Sequence, residues 1–309
     1  MNTNRKIVLI TGGTGRLGTP LINNLSKDYE KIIVLTRNTN LKGKNNKISF
    51  LNADITKENL GLNSNVYSQL TSNITEIIHM AANTSFTASY QKAALVNIKG
   101  TKNILGLAKK TRNLRKFIHF STAFISGERE GDIFEEGLEH NAGFVNNYEL
   151  TKYQSELIAR EHFSQLPISV IRPVLILTND SKNIFNVMLD KIKQSKFFII
   201  TGCPVTNLHL IPLNSFVKRV SSSLNDLQSG KAYHFANKPD QLMTLRELVA
   251  FVEKLMNKKI MIINHKIQLG KLYNLTGQLF HSKTFFSEDK NNYLGGKKQI
   301  FSHIEEYLK

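Results

Sequence analysis

The chain is predicted to fold as an α/β protein of the Rossmann type: a doubly wound parallel sheet with a smaller C-terminal α/β lobe. Two observations carry this prediction. Short β-branched runs alternate with helical segments at the spacing of right-handed βαβ units, and a glycine-rich turn follows the first run. We assign residues 1–174 to a nucleotide-binding core that holds the catalytic residues. Residues 175–309 mainly form a substrate-binding lobe, interleaved with the core.

The first predicted strand, Lys6–Ile10, leads directly into the glycine-rich turn. Glycines 12, 15 and 18 have a GxxGxxG spacing, and an apolar helix face follows them. The first glycine permits the turn, the second lets backbone amides approach phosphate, and the third lets the helix pack against the strand. The pattern predicts a dinucleotide pyrophosphate site formed by Gly12, Thr14, Gly15, Arg16, Leu17 and Gly18.

The residue after the second predicted strand, Lys31–Thr36, is Arg37. A cofactor without a ribose phosphate favours an Asp or Glu near this position, and none is found there. Arg16 lies within the glycine turn, and two guanidinium groups suit a 2′-phosphate because each can bind it bidentately. NADP(H) is therefore the preferred cofactor, and NAD(H) stays open as the alternative.

Composition limits what surrounds this site. The chain has 309 residues, 41% of them hydrophobic, a net charge of +17 and a single cysteine, Cys203. One cysteine excludes disulfide frameworks and thiolate metal clusters and favours a reducing cytoplasm. No run reaches the roughly 20 apolar residues of a membrane helix. Lysines are scattered rather than interleaved with aromatics, which argues against nucleic acid; the charge reflects compositional bias or attracts an anionic cofactor or an acidic carrier protein.

Strands and helices continue to alternate along the rest of the chain. Further strands are predicted at Ile48–Leu51, Glu76–Met80, Lys116–Phe120 and Ile168–Ile171. Helices are predicted at residues 85–111, 147–163, 184–193, 215–227 and 245–256. In such sheets ligands bind beyond the carboxyl ends of the strands, where Asp54, Ala81, Thr122 and Pro173 follow strand runs.

Tyr148 and Lys152 are four residues apart on the helix predicted from residue 147. They therefore share a helix face, where the ammonium can lower the phenol pKa from about 10 and make Tyr148 a proton donor. Lys152 can also bond the nicotinamide ribose, and Thr122 can orient a substrate carbonyl oxygen. His140, His162, His209 and His303 lack metal-ligand spacing, so no metal site is expected.

About the first 175 residues resemble the extended short-chain dehydrogenase/reductases. The matching features are TGxxGxxG, Asp54-Ile55, Ala81-Ala82, Asn97 with Gly100-Thr101, Ser121-Thr122 and YxxxK. The strings HFSTAFISG, NNYELTKYQSE and VLTRN are similar to the acyl-thioester and fatty acyl-CoA reductases, the male-sterility type.

This resemblance implies roles for residues that the patterns alone leave open. Asp54 and Ile55 would contact adenine, Ala81 and Ala82 would pass beside the diphosphate and ribose, and Asn97 would brace the active-site helix or relay a proton. Pro173 and Val174 would border the nicotinamide. Structural roles stay open for four of these: a capping Asp54, small packing residues at Ala81 and Ala82, and a structural Asn97.

Departures from neighbouring branches narrow the function. Ala123-Phe124 follows Thr122, where sugar-nucleotide dehydratases carry Asp-Glu. The run Arg172-Pro173-Val174-Leu175-Ile176-Leu177 stands where sugar-nucleotide epimerases carry an Asn and a Tyr-Gly-Pro that bind the diphosphate. Its apolar part suits a hydrophobic substrate, and buried core is the alternative. Asn214 stands where the male-sterility type has an Asp. Phe285, Phe286 and Tyr293 are expected to pack the C-terminal lobe.

We expect an NADPH-dependent reductase of an acyl thioester, bound to CoA or a carrier protein, or of another hydrophobic carbonyl. The alternatives are a ketone or aldehyde reductase or a hydroxysteroid or dihydroflavonol-type dehydrogenase, an NDP-sugar epimerase, and an NADP(H)-binding redox sensor or scaffold. A homodimer is expected by analogy with the family.

Overall fold

The computed structural model describes residues 5–38, 40–41, 46–181, 183–264, 278, 281–289 and 292–308. The strands are β1 (Ile7–Thr11), β2 (Lys31–Thr36), β3 (Ile48–Asn52), β4 (Glu76–His79), β5 (Lys116–Phe120), β6 (Gly131–Ile133), β7 (Ile168–Pro173), β8 (Leu175–Leu177), β9 (Phe197–Thr201), β10 (Asn207–Leu208), β11 (Leu210–Pro212), β12 (Ala232–Phe235), β13 (Met243–Thr244), β14 (Lys259–Ile263) and β15 (Lys283–Phe285).

The α-helices are α1 (Gly18–Leu25), α2 (Ser64–Asn73), α3 (Tyr90–Ala94), α4 (Gly100–Lys110), α5 (Asn147–Arg160), α6 (Ile184–Gln194), α7 (Leu213–Ser223), α8 (Leu245–Met256) and α9 (Lys297–Leu308). A π-helical turn, Leu95–Lys99, joins α3 to α4. Within the described ranges no helix has both the length and the apolar character needed to cross a membrane.

Seven strands form the main sheet in the order β12-β7-β5-β4-β1-β2-β3. The pairs from β3 through to β7 are parallel. The strand order reverses between β1 and β4, which is the switch point where ligands bind in doubly wound sheets. Every residue of β1 is buried, as expected of a parallel strand covered on both faces. The predicted Rossmann-type fold is confirmed.

Most predicted elements are confirmed to within a few residues, but the long helix predicted over 85–111 is wrong in form. Residues 85–88 are not helical because Ser89 caps the start of α3, its side chain accepting a hydrogen bond from the Lys92 amide. The rest of the segment is broken by the π-helical turn. The helix predicted at 147–163 ends at Arg160, and the one at 215–227 runs from Leu213 to Ser223.

The chain divides into two compact units, each built from three segments. Unit 1 contains Met1–Thr122, Leu150–Arg172 and Val217–Ala232. Unit 2 contains Ala123–Glu149, Pro173–Phe216 and Tyr233–Lys309. Residues 123–149 thus belong to unit 2 and residues 217–232 to unit 1, and the functional division at residue 174 stays a prediction.

Each unit has its own apolar core. The core of unit 1 gathers side chains from the sheet strands and from α4, among them Leu9, Phe117 and Val170. The core of unit 2 gathers side chains from α6, α8 and α9. Phe285 is fully buried in unit 2 against the ring of His209, with ring centroids 4.8 Å apart. Phe286 stacks on Phe134, which confirms a packing role for both phenylalanines.

A buried ion pair in unit 1 joins α5 to β7. The Arg172 guanidinium lies 2.6 Å from Glu156, and the two side chains are 3% and 0% exposed. Burial acts to raise the pKa of Glu156. The charge and hydrogen bonds of Arg172 outweigh this effect and lower the pKa of the carboxyl to about 2. Arg160, a more exposed residue of α5, donates to the same carboxylate at 3.0 Å.

We expect Glu156→Gln to lower the free energy of unfolding by about 3–5 kcal/mol, because the substitution leaves the Arg172 guanidinium buried without a counter-charge. Urea denaturation measures this loss. The matched control Arg160→Gln removes a more solvated partner and should cost at most about 1 kcal/mol. The depressed pKa adds a pH signature: the stabilisation is present above about pH 4.5 and is lost as the pH falls toward 2. Equal losses for the two variants would contradict this account.

Candidate functional site

The glycine turn between β1 and α1 lies against the end of β4. Gly12 has φ +72°, and a Cβ there would lie 2.7 Å from the Ala81 backbone nitrogen. A Cβ on Gly18 would lie 2.5 Å from the Gly13 Cα, and Gly13 itself lacks room because of Ile22. Only glycine fits at these positions, so the backbone of the turn can approach a ligand closely. Gly13 lies outside the GxxGxxG spacing, so the sequence pattern does not predict its steric requirement.

The start of α1 is suited to an anion. Among the described residues no side chain caps this helix end, and its first turn contains no acidic residue. The Gly15 amide donates to the Gly12 carbonyl at 3.0 Å, which closes the turn just before the helix. Uncapped amides and the helix dipole together favour negative charge at such an end. These features fit the predicted pyrophosphate site.

Arg37 and Asp54 follow β2 and β3, and they influence each other electrostatically. Asp54 accepts hydrogen bonds from the Thr56 amide and hydroxyl, at 2.9 and 2.8 Å. Burial disfavours its charge, but these bonds and the positive charges of Arg37 and Lys57 lower its pKa. Asp54 therefore has a local turn-forming role, and its contact with adenine stays a prediction. The Arg37 side chain is exposed, as is that of Arg16.

A buried hydrogen-bond chain runs from the glycine turn to the π-helical turn. The Thr101 hydroxyl donates to the Asn97 carbonyl at 2.7 Å, so it accepts from His79 Nε2 at 3.0 Å. His79 Nδ1 then accepts from the Thr11 hydroxyl at 2.7 Å, and Thr11 accepts from the Ala81 amide at 3.1 Å. This chain requires the neutral Nε2–H tautomer of His79. Burial, aided by the charge of Lys152, lowers the pKa of His79 to about 3.

Asn97 extends the chain to α5. Its side-chain amide donates to the Thr151 hydroxyl at 2.9 Å and to the Asn83 carbonyl at 3.1 Å. Its side-chain oxygen accepts from the Asn83 amide at 2.7 Å. Asn97 therefore braces both α5 and the segment after β4, and its side chain is 1% exposed. The π-helical turn that carries it is a feature that recurs at functional sites.

Lys152 is held at the carboxyl end of β5. The residue is 3% exposed, and its ammonium donates to the Phe120 carbonyl at 2.6 Å, two residues before Thr122. Burial lowers the pKa of Lys152 to about 8, although the charge of Glu156 acts in the opposite direction. The lysine stays mainly protonated at neutral pH. This contact brings the predicted lysine and the predicted Thr122 to the same strand end within unit 1.

Tyr148 lies in the first turn of the same helix. Asn146 begins that helix, because its side-chain oxygen accepts a hydrogen bond from the Glu149 amide at 3.0 Å. Tyr148 is half-buried, and the spacing of four residues sets it on the helix face of Lys152. Tyr148 belongs to unit 2, as do Pro173 and Val174, which are both buried at the end of β7 and just beyond it.

Ile55 and Ala82 differ in burial. Ile55 is buried in the core of unit 1, and a Cβ on Gly100 would lie 2.6 Å from its Cδ1. Close packing on α4 is thus its observed contact, and its part in binding adenine stays a prediction. Ala81 and Ala82 are half-buried. No cluster of metal-binding side chains occurs in the part of the chain that the structure describes.

The sequence patterns do not indicate His79 or Thr151, and they name Thr101 only as part of the feature Asn97 with Gly100-Thr101, without the partners of its hydroxyl. The available signal was the spacing of Asn97 and Thr101, which are one helical turn apart. His209 is a core histidine: it is 6% exposed, and its Nε2 lies 2.9 Å from the Lys283 carbonyl.

Comparisons with known proteins find similar sequences along most of the chain. The sequence model of one family, described as "Male sterility protein", matches residues 10–218. The chain is 24% identical over 305 residues to "Fatty acyl-CoA reductase wat" of Drosophila melanogaster, covering 78% of this chain but only 59% of that protein. It is 25% identical over 279 residues to the "N-acetyl-alpha-D-glucosaminyl-diphospho-ditrans,octacis-undecaprenol 4-epimerase" of Escherichia coli O157:H7, covering 88% of this chain and 78% of that one.

The fold also has a solved counterpart. The terminal R domain from the myxalamid PKS-NRPS biosynthetic pathway superposes with a TM-score of 0.81 at 21% identity, over 98% of this chain and 90% of that domain.

His79 and His119 offer a matched test of the hydrogen-bond chain, since they occupy paired positions on β4 and β5 and both are buried. Neither ring nitrogen of His119 has a hydrogen-bond partner among the described residues. We expect His79→Leu to cost about 1–3 kcal/mol of unfolding free energy, because the buried Thr11 hydroxyl loses the acceptor of its proton. His119→Leu should be neutral or stabilising, since it removes polar atoms that burial leaves unpaired. Chemical denaturation of the two variants decides this, and a larger loss for His119→Leu would refute the chain's role.

Proposed function

Because the chain belongs to the male sterility protein family, a branch of the extended short-chain dehydrogenase/reductases, we propose that it is an NADPH-dependent reductase of an acyl thioester. The observation that carries the proposal is the position of Lys152: a buried ammonium at the carboxyl end of β5, one helical turn after Tyr148. This arrangement can activate a phenol and hold a ribose at one strand end.

The residues present fit a dinucleotide. The close approach of Gly12 to Ala81 and a helix start without an acidic residue in its first turn suit a pyrophosphate. When bound, NADPH supplies a hydride to the substrate's carbonyl carbon. The proposal assigns cofactor contacts to Gly12, Thr14, Gly15, Arg16, Leu17, Gly18, Arg37, Asp54, Ile55, Ala81, Ala82, Tyr148, Lys152, Pro173 and Val174.

Three side chains perform the proposed proton chemistry. The Tyr148 phenol donates a proton to the carbonyl oxygen as the carbonyl carbon is reduced, and the Thr122 hydroxyl orients that oxygen. Lys152 bonds the nicotinamide ribose and favours the phenolate that Tyr148 becomes. Tyr148 then recovers the proton as the carbon–sulfur bond breaks. An aldehyde and a thiolate leave, and the thiolate takes a proton from solvent.

The thioester substrate is supported by the family and by the apolar stretch after β7. The relative from Drosophila is named a fatty acyl-CoA reductase, and the segment Pro173–Leu177 carries no polar side chain. An apolar lining suits an acyl chain. The net charge of +17 would favour the phosphates of CoA or an acidic carrier protein. A carrier partner and a homodimer are part of the proposal.

A sugar-nucleotide epimerase is the second candidate, because the match to the Escherichia coli epimerase covers 88% of the chain. The segment Pro173–Leu177 argues against an epimerase, because its side chains are all apolar and cannot hydrogen-bond a diphosphate. Ketone or aldehyde reduction would use the same catalytic residues as thioester reduction. A nucleotide-binding scaffold without turnover is the remaining alternative.

We expect purified protein to oxidise NADPH with acyl-CoA substrates, measured by loss of nicotinamide absorbance. Tyr148→Phe should lower kcat by about 10²–10⁴-fold while the Kd for NADPH changes little, because the ring stays and only the proton donor is lost. Matched aldehydes, ketones and a UDP-sugar complete the panel.

Turnover of aldehydes or ketones alone would move the protein to carbonyl reduction, and conversion of the UDP-sugar would favour the epimerase. Binding of NADPH without any turnover would favour the scaffold.

We expect Arg37→Ala to raise KM for NADPH about 10–100-fold while leaving KM for NADH unchanged, because the lost group is a charged donor to the 2′-phosphate. Initial rates with both cofactors measure this. Arg112→Ala is the control, because this arginine is also exposed. It precedes β5, at the amino ends of the parallel strands, whereas the glycine turn follows β1 at their carboxyl ends. An equal effect on both cofactors would exclude recognition of the 2′-phosphate by Arg37.

A further inference from the structure

Glu149, the residue after Tyr148, is a buried acid with an unusual set of donors. Its side chain is 1% exposed. It accepts hydrogen bonds from the Val145 amide at 3.2 Å and from the Asn146 side chain at 3.0 Å. A third donor, the side-chain amide of Gln278, reaches both carboxylate oxygens at 3.0 Å. A carboxylate that accepts only from donors is best satisfied in its ionised form.

Lys283, at the start of β15, supplies the opposite charge through the same amide. Its ammonium is 2% exposed and donates to the Gln278 side-chain oxygen and to the Gly127 carbonyl, both at 2.5 Å. Gln278 therefore bridges the two charges, its oxygen toward the cation and its nitrogen toward Glu149. Because the lysine can only donate and the carboxylate can only accept, this amide orientation is the one that satisfies both.

The charges affect each other in the expected directions. Burial raises the pKa of Glu149 and the charge of Lys283 opposes it. Burial lowers the pKa of Lys283 and the charge of Glu149 opposes it. Arg129, Glu128 and Glu130 also act on Lys283, the arginine against its charge and the two acids in favour of it. Removal of either charge would leave the other one buried without its bridged counter-charge.

We propose that Lys283 is a positioning residue: through Gln278 and Glu149 it holds the first turn of α5, and so the Tyr148 phenol. Glu149 is fixed from both sides, by the Val145–Asn146 segment that begins the helix and by the Gln278 bridge. The inference rests on the proposed function for the role of Tyr148, but the holding contact itself does not. A displacement of about 1 Å in a catalytic group can cost about 10²-fold in rate, so loosening this turn should reach kcat.

The test uses the full chain and four variants. Lys283→Met removes the charge, Lys283→Arg keeps it, and Glu149→Gln/Lys283→Met removes both buried charges. Lys116→Met is the matched control, because Lys116 also donates to a backbone carbonyl, that of Leu224, from a partly buried site in unit 1. Two readouts are taken: hydrogen–deuterium exchange of the peptide covering residues 145–152, referenced to a peptide of α4, and kcat with the Kd for NADPH.

We expect Lys283→Met to speed exchange in the first turn of α5 selectively and to lower kcat about 10–100-fold, with Kd for NADPH changed by at most about twofold. Lys283→Arg should keep most of the exchange protection in the first turn of α5 and most of kcat. Lys116→Met should change neither quantity. If Lys283→Met does not fold, the doubly neutral variant takes its place, with the same expectations.

Exchange in the first turn of α5 that rises no more than in the α4 peptide would overturn the proposal. So would selective loosening that leaves kcat unchanged. If the wild-type protein turns over no substrate, the proposed function fails and exchange alone decides whether Lys283 holds the turn.

Discussion

Unit 1 of this protein depends on keeping one buried row of polar groups fully paired. Thr11, His79, Thr101 and Asn97 are each at most 2% exposed, and each finds its partner in the next member of the row. Because an unpaired buried hydroxyl or amide costs more than a typical hydrogen bond gains, only one tautomer and one arrangement satisfy all of them. The row ends on Thr151, so the glycine turn, the π-helical turn and α5 are aligned by the same constraint.

Charges buried along α5 are compensated in different ways, and the difference indicates their roles. Glu156 has a direct guanidinium partner, so its charge is satisfied within the scaffold. The Lys152 ammonium donates instead to a backbone carbonyl, that of Phe120, and burial lowers its pKa to about 8. A cation bonded to a neutral carbonyl interacts more strongly with a neighbouring phenol or ribose than a cation in a close ion pair, because no counter-charge cancels its electrostatic potential. This difference is the physical basis of the proposal that Lys152, near the start of α5, takes part in catalysis.

Much of the fold and some of the site could be predicted from sequence. Continuous β-branched runs identified six of the seven strands of the main sheet, because a parallel strand is apolar on both faces; β12 was not predicted. The segment at residues 85–111 was misjudged, because helical periodicity does not reveal where a serine caps a helix or where a π-helical turn interrupts it. Asn97 was named as a brace or proton relay, but the hydroxyl that it braces was not.

Sequence by itself determined the glycine positions, the order of strands and helices and the spacing of Tyr148 and Lys152, because these depend on local backbone geometry and on helical periodicity. Only the tertiary structure decided which buried polar groups meet. His79 and His119 have the same residue type and the same register on neighbouring strands. Among the described residues, His79 has hydrogen-bond partners at both ring nitrogens and His119 at neither. The bridge from Glu149 to Lys283 likewise joins residues 134 positions apart (283 − 149). Such pairings are fixed by packing between distant segments, which no local pattern encodes.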